Sequence, residues 1–142
     1  MNYRNMMDFS EKSVLITGGT GSMGREFACA FASCGANIII SDVNENAADE
    51  IVETCQSYGV KAKFIKCNLL NVSDIKQMVA ESVSTFGKID ILCNHAGFNN
   101  RKSAIEYTEA EWDKLIGVDL KAVFFVATAI GKHMLENGIR GK

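Results

Sequence analysis

The chain has 142 residues, 47% of them apolar and 23% charged, with a formal net charge of −2. Such a length and composition suit one globular domain with a core of its own. The slight negative charge gives no electrostatic case for a nucleic acid or an anionic membrane as partner, and no apolar run approaches the ~20 residues of a membrane span. Met1 to Lys12 carries Asp8 and Glu11 and has no apolar stretch of the kind a secretory signal needs, so a cytoplasmic protein is expected. The five cysteines (Cys29, Cys34, Cys55, Cys67 and Cys93) form no Cys-x-x-Cys pair and fall inside predicted helices or strands. They read as reduced thiols packed like small apolar side chains. His95 and His133 stand apart from any Cys/His cluster, and no metal site is predicted. With no proline, no repeat and no shift in composition, residues 1–142 read as one domain.

The elements alternate along the chain. Ser13–Thr17 predicts a strand, and Ser22 to about Cys34 a helix with Met23, Phe27, Phe31 and Cys34 on one face, ended by Gly35. Asn37–Ser41, with three consecutive isoleucines, predicts a strand covered on both faces. A helix from about Asn44 to Tyr58 buries Ala48, Ile51, Val52 and Cys55. Val60–Cys67 predicts a strand interrupted by Lys61, Lys63 and Lys66, a pattern that suits a sheet edge. Ser73 is the expected N-cap of the next helix, which buries Ile75, Met78, Val79, Val83 and Phe86. Ile89–Cys93 is a fourth strand. Thr108-Glu109-Ala110-Glu111 has the form of a capping box and opens a helical region to Asn137, with a possible kink at Gly117. This alternation predicts an α/β fold, a Rossmann-type doubly wound parallel sheet. Right-handed crossovers and a ligand crevice between the first and fourth strands give the strand order 3-2-1-4.

Chemistry concentrates at the strand ends. The apolar run Val14-Leu15-Ile16 passes through Thr17 into Gly18-Gly19-Thr20-Gly21-Ser22-Met23-Gly24 and then a helix. Strand, glycine turn and helix N-terminus together make a pyrophosphate cradle, because the first N–H groups of a helix have no helical partner and carry partial positive charge. Gly18, Thr20, Gly21, Ser22, Met23 and Gly24 are therefore assigned to the phosphates of a dinucleotide. Asp42, after the second strand, is placed to accept hydrogen bonds from the adenosine ribose and to repel a 2′-phosphate. No arginine or lysine lies in the loop before Gly24, and Arg25 reads as a helix-surface charge; NAD is expected over NADP. Asn68 at the end of the third strand is placed near the adenine edge. Ala96 and Gly97 let the backbone pass close to a cofactor, and Asn94 is placed to bond both backbone and ribose.

These segments, with Asn68-Leu69, Asp90 to Gly97 and Trp112 to Phe125, resemble the short-chain dehydrogenase/reductase family from Phe9 to Lys142. The resemblance implies a nicotinamide cofactor and hydride transfer between it and an alcohol or ketone. It puts Gly18, Ser22, Met23 and Gly24 on the pyrophosphate loop, Asp42 at the ribose, Asn68 and Leu69 at the adenine, and Asn94 to Gly97 beneath the cofactor. It puts Asp119 in the slot of the family's catalytic Asn. The family's ordinary pattern, Thr-Gly-x-x-x-Gly-x-Gly, asks for glycine at 22, whereas Gly21-Ser22 reverses that order and looks like the family's extended branch. The remaining motifs favour the ordinary branch. Asn68 stands where the family usually has Asp.

The family's catalytic Ser and its Tyr-x-x-x-Lys follow the fourth strand and the long helix; no tyrosine here has lysine four residues on. The chain reads as ending before the fifth strand, and on its own it is expected to give no turnover. The loop Phe98 to Tyr107 resembles that of sugar-acid dehydrogenases of the gluconate 5-dehydrogenase and deoxygluconate dehydrogenase types, and Arg101-Lys102 beside the pocket suits a carboxylate. The rival enzyme reading is a 3-oxoacyl-carrier-protein reductase. A second class of reading is a nucleotide-binding module without catalysis. The resemblance also implies a homo-oligomer for the full-length enzyme. The isolated chain is expected to self-associate or to be marginally stable, since Val123 to Ile130 is apolar nearly all round.

Overall fold

Two runs of branched residues make the centre of the sheet. The structure, a computed structural model, describes residues 7–142. In it β1 (Ser13–Thr17) and β2 (Asn37–Asp42) pair in parallel with Val14 opposite Ile38, Leu15 opposite Ile39 and Ile16 opposite Ile40. Side chains alternate between the faces of a strand, so this register sorts the core into two. Leu15 and Ile39 pack with Ile75, Met78, Val126 and Ile130. Val14, Ile16, Ile38 and Ile40 pack with Ala28, Ala32, Ile51 and Cys55 on the other side. β3 (Ala62–Lys66) and β4 (Ile91–Cys93) complete a parallel sheet of order β3-β2-β1-β4, as the alternation of elements requires. β3 is an edge, and its lysines are met by acids: Lys63 by Glu81 at 2.8 Å and Lys66 by Glu45 at 3.3 Å. Beyond β4, Lys142 donates its N–H to the Asp90 carbonyl (3.0 Å) and accepts from the Leu92 N–H (2.9 Å). That side of β4 therefore carries one parallel pairing.

Several helix details differ from expectation. α1 (Ser22–Ser33) buries Gly24, Ala28 and Ala32, while Met23 is 60% exposed. Small residues face the sheet along this helix, and Phe27 and Phe31 pack beside that line, partly buried. α2 (Ala48–Gln56) starts later than Asn44. The Asn44 N–H bonds to Asp42 Oδ1 (3.1 Å) and the Asn46 N–H to Asn44 Oδ1 (3.1 Å). These two Asx turns hold the chain out of a helix. α3 (Val72–Phe86) has Asn71 at its N-cap position with no side-chain bond. Ser73, the expected cap, lies in the first turn with its hydroxyl toward Asp74 Oδ1 at 3.4 Å.

The last helical region is three elements. α4 (Glu109–Ile116) opens with the capping box of Thr108 and Glu111. A π-helical turn runs over Gly117–Ala122, where the sequence suggested a kink, and α5 (Val123–Glu136) follows. α5 turns Val126 and Ile130 into the core, whereas Leu120 and Phe124 are more than 60% exposed. Among the described residues no helix is long and apolar enough to cross a membrane.

Candidate functional site

β1 delivers the chain to Gly18, whose φ is +69°. A Cβ at Gly18 would lie 2.7 Å from Ala96 Cα, and one at Gly24 would strike the Gly18 carbonyl. Only glycine fits either position. Gly21 differs: its backbone is extended, and a Cβ would meet nothing nearer than the Gly18 carbonyl at 3.4 Å. Ser22 is already the first residue of α1. The transposed Gly21-Ser22 pair thus falls where the backbone does not require glycine at either place. The first bond of α1 runs from the Arg25 N–H to the Gly21 carbonyl (2.9 Å), so the N–H groups of Ser22, Met23 and Gly24 precede any helical acceptor. No side chain caps this end and no acid lies in its first turn, which leaves a positive helix terminus open to an anion.

The Thr17 hydroxyl ties β1 to β4 by accepting from the His95 and Ala96 N–H groups at 3.1 and 3.2 Å. Between these strand ends a cleft of about 490 Å³ opens, at the switch point where the strand order reverses. Gly18, Gly21, Asp42, Asn68, Leu69, Ala96 and Gly97 line it. Asp42 reaches from the end of β2, with Oδ2 accepting from the Thr20 N–H (3.2 Å) and Oδ1 from the Asn44 N–H. Asn68 lines the wall while its Oδ1 accepts from the Leu70 N–H at 3.1 Å, so it serves as turn former and wall together. Thr20 sits on the loop that carries Gly18 and Gly21, and Ser22, Met23 and Gly24 form the first turn of α1; none of the four lines the cleft.

Residues 12–142 match the family model for short chain dehydrogenases. The chain belongs to the short-chain dehydrogenase/reductase family. It is 34% identical over 138 residues to an L-rhamnose 1-dehydrogenase (NADP(+)) of Thermoplasma acidophilum, covering 96% of this chain and 54% of that protein. It is 33% identical over 132 residues to a 5-keto-D-gluconate 5-reductase of Escherichia coli, covering 93% of this chain and 52% of that one. A short-chain type dehydrogenase/reductase from Mycobacterium marinum superposes with a TM-score of 0.92 at 25% identity, over 99% of this chain and 57% of that chain. The chain spans about half the length of the curated relatives it matches.

Short-chain dehydrogenases use nicotinamide dinucleotides, and the residues present fit one. The uncapped end of α1 suits the pyrophosphate, the bare Cα of Gly18 allows close approach, and the Asp42 carboxylate offers acceptors to a ribose. Two further expected residues are engaged with the protein's own backbone. Asn94 lies outside the lining and donates Nδ2–H to the Val123 carbonyl at 3.3 Å, joining β4 to α5. Asp119, on the π-helical turn, also lies outside the lining; its Oδ1 accepts from the Phe98 N–H at 2.7 Å. It shapes the wall by holding the backbone of Phe98, which does line the cleft.

Lys114 and Val118 line the cleft without having been singled out from the sequence. Their spacing of four, one helical turn that puts both on one face, was the available signal. Lys114 Nζ sits 4.5 Å above the Phe98 ring centroid, a cation–π contact. Cys67 also lines the wall; burial pushes its thiol up to about 11, so it stands there neutral. Beyond Phe98, Glu111 gathers the loop. It accepts from Asn100 Nδ2 (3.0 Å), Lys102 Nζ (2.9 Å) and both the N–H and the hydroxyl of Thr108 (2.9 Å each). Lys102 first, and then Thr108, hold its carboxyl down at about 2. Of the basic pair in this loop, Lys102 is thus engaged by Glu111, while Arg101 is exposed. Among the described residues no three His, Cys, Asp or Glu side chains gather to hold a metal.

Proposed function

We propose that this chain binds NAD in preference to NADP and serves hydride transfer between the nicotinamide and a hydroxyl or keto group of a sugar acid. The observation that carries the cofactor half is the Asp42 carboxylate in the cleft wall, where a 2′-phosphate would meet like charge at a cost on the order of several kcal/mol. Arg25, the nearest cation to the glycine loop in sequence, is held by Glu50 at 2.6 Å and is not free to reward that phosphate. The relative whose name specifies NADP(+) shows that relatives at this level of identity include NADP users, so the reading rests on Asp42 and Arg25. The sugar-acid half rests on the loop Phe98–Tyr107, with its exposed Arg101, and on the keto-gluconate reductase among the relatives.

When bound, the cofactor supplies or takes the hydride. The α1 terminus holds the pyrophosphate, Asp42 the ribose hydroxyls, Asn68 and Leu69 the adenine, and Ala96 and Gly97 form the floor. Asp119 positions Phe98. Tyr-x-x-x-Lys does not occur in these 142 residues, so none of them is given the proton transfer, which needs a group of tuned pKa against the substrate oxygen. These residues by themselves are expected to bind cofactor without turning over. The exposed apolar face of α4 and α5 is the surface on which a second copy is expected to sit.

Calorimetric titration tests the cofactor reading. NAD is expected to bind at least about tenfold more tightly than NADP, a difference of about 1.4 kcal/mol; equal or reversed affinity overturns it. Saturation-transfer NMR with NADH present tests the substrate class. Contact with D-gluconate and none with a neutral hexose is expected, and contact with a 3-oxoacyl thioester in place of gluconate overturns it.

A further inference from the structure

Asp42 is engaged before any ligand arrives. Its Oδ2 accepts from the Thr20 N–H at 3.2 Å, across 22 positions of sequence, and its Oδ1 from the Asn44 N–H. Thr20 sits in the middle of the glycine loop, between the Gly19 N–H, which donates to the Ser41 carbonyl (3.2 Å), and the Gly21 N–H, which donates to the Gly18 carbonyl (3.2 Å). Of these three loop amides, Thr20 alone is held by a side chain. A carboxylate has about four lone-pair sites, so an oxygen that holds Thr20 keeps capacity for a ribose hydroxyl.

Resting on the dinucleotide reading of the cleft, we propose that Asp42 is a positioning residue for the pyrophosphate as well as the ribose contact. Its carboxylate clamps the glycine loop to the end of β2 and so sets where the free N–H groups of Ser22, Met23 and Gly24 point. Fixing those donors in advance removes an ordering cost that phosphate binding would otherwise carry. The two half-sites are then coupled through one side chain. Replacing Asp42 to admit a 2′-phosphate loosens the phosphate end in the same stroke.

The test separates the roles with ligands that lack the ribose hydroxyls. NAD, 2′,3′-dideoxyadenosine 5′-diphosphate and 2′,3′-dideoxyadenosine are titrated by NMR into the chain and into Asp42→Ala. The clamp predicts that Asp42→Ala weakens the dideoxy diphosphate by about tenfold and leaves the dideoxynucleoside, which has no phosphate, unchanged. A loss confined to NAD, with the dideoxy diphosphate unaffected, overturns the clamp. Equal losses for all three ligands also overturn it, since they mark a general disturbance of the cleft. Hydrogen exchange at the Thr20 amide provides the reading without ligand. Protection in the parent chain that falls by about tenfold in Asp42→Ala, and in Asp42→Asn should the alanine variant not fold, supports the clamp; exchange at the unfolded rate in the parent overturns it. If no ligand binds the parent chain, the dinucleotide reading fails, and the exchange measurement still decides the clamp.

Discussion

The turn between β1 and α1 and the loop from Gly97 to Thr108 border the same cleft, and they are held in different ways. In the first, the positions that matter are bare: Gly18 and Gly24 have no room for a Cβ, and the neighbouring loop amides go to backbone carbonyls or to Asp42. In the second, side chains do the holding, with Glu111 receiving Asn100, Lys102 and Thr108 while Asp119 holds the Phe98 N–H. A wall defined by backbone tolerates little substitution and makes the same shape in many sequences. A wall defined by side chains can be redrawn residue by residue, as suits the part of the site nearest a variable substrate.

The largest effect expected from breaking this contrast is at the bare wall. Gly18→Ala forces a side chain into a left-handed conformation and against Ala96, at a cost of about 2–4 kcal/mol. Urea denaturation is expected to register that loss, and calorimetry the loss of measurable NAD binding. At the other wall, Asp119→Ala removes one charge-assisted bond, about 1.5–3 kcal/mol at most and less at this exposed position. Faster exchange of the Phe98 amide, with NAD affinity changed only a few-fold, is the expected outcome. Thr108→Ala is expected to cost about 1 kcal/mol through the lost cap, read as a lower denaturation midpoint.

Smaller effects sharpen the comparison through pH. The Glu111 carboxyl is held at about 2 against an ordinary 4.5, so the folded state favours its ionised form. Its contribution is full above about pH 4.5 and is lost as pH falls toward 2. Loop amide protection in the parent chain is expected to exceed that in Glu111→Gln at pH 7, with the gap closing through that acid window. Least perturbing of all is thiol labelling. Burial pushes Cys55 up to about 12 and Cys67 up to about 11 from 9.0. The neutral thiols therefore favour the fold below about pH 9, and that contribution is lost as pH climbs through 11–12. Iodoacetamide at pH 8 is expected to mark partly exposed Cys34 and Cys29 first and to reach Cys55 and Cys67 only on unfolding.

The sheet was legible because its cause is local. Consecutive branched residues at Ile38-Ile39-Ile40 admit few alternatives to a strand covered on both faces, and the order 3-2-1-4 follows from handedness. The glycine loop was legible for the same reason. What escaped were features settled by contacts distant in sequence. The buried stripe of α1 went to Gly24, Ala28 and Ala32 because the helix presents its small residues to the sheet, which no count of apolar residues reveals. One local feature escaped as well: the Asp42 and Asn44 side chains delay α2 through bonds to the backbone two residues on, which compete with helix formation. Asp119 was read from its slot in a family pattern, yet its partner Phe98 lies 21 positions earlier, a distance no local pattern reports.

The π-helical turn at Gly117–Ala122 acts on everything after it like a shim under a screw thread. Each residue of an α-helix advances the rotation by about 100°, and a π turn takes up one residue more than the thread allows. α4 and α5 are thus out of phase, and the extra residue is what brings Val126 and Ile130 round onto the sheet while Asp119 bulges toward Phe98. Deleting one residue within 117–122 would restore a regular thread with Val126 and Ile130 still on the sheet, whereas winding all six residues as regular α-helix would swing the α5 stripe by about 100°. The wide turn, by absorbing its extra residue, keeps that face of α5 on the sheet.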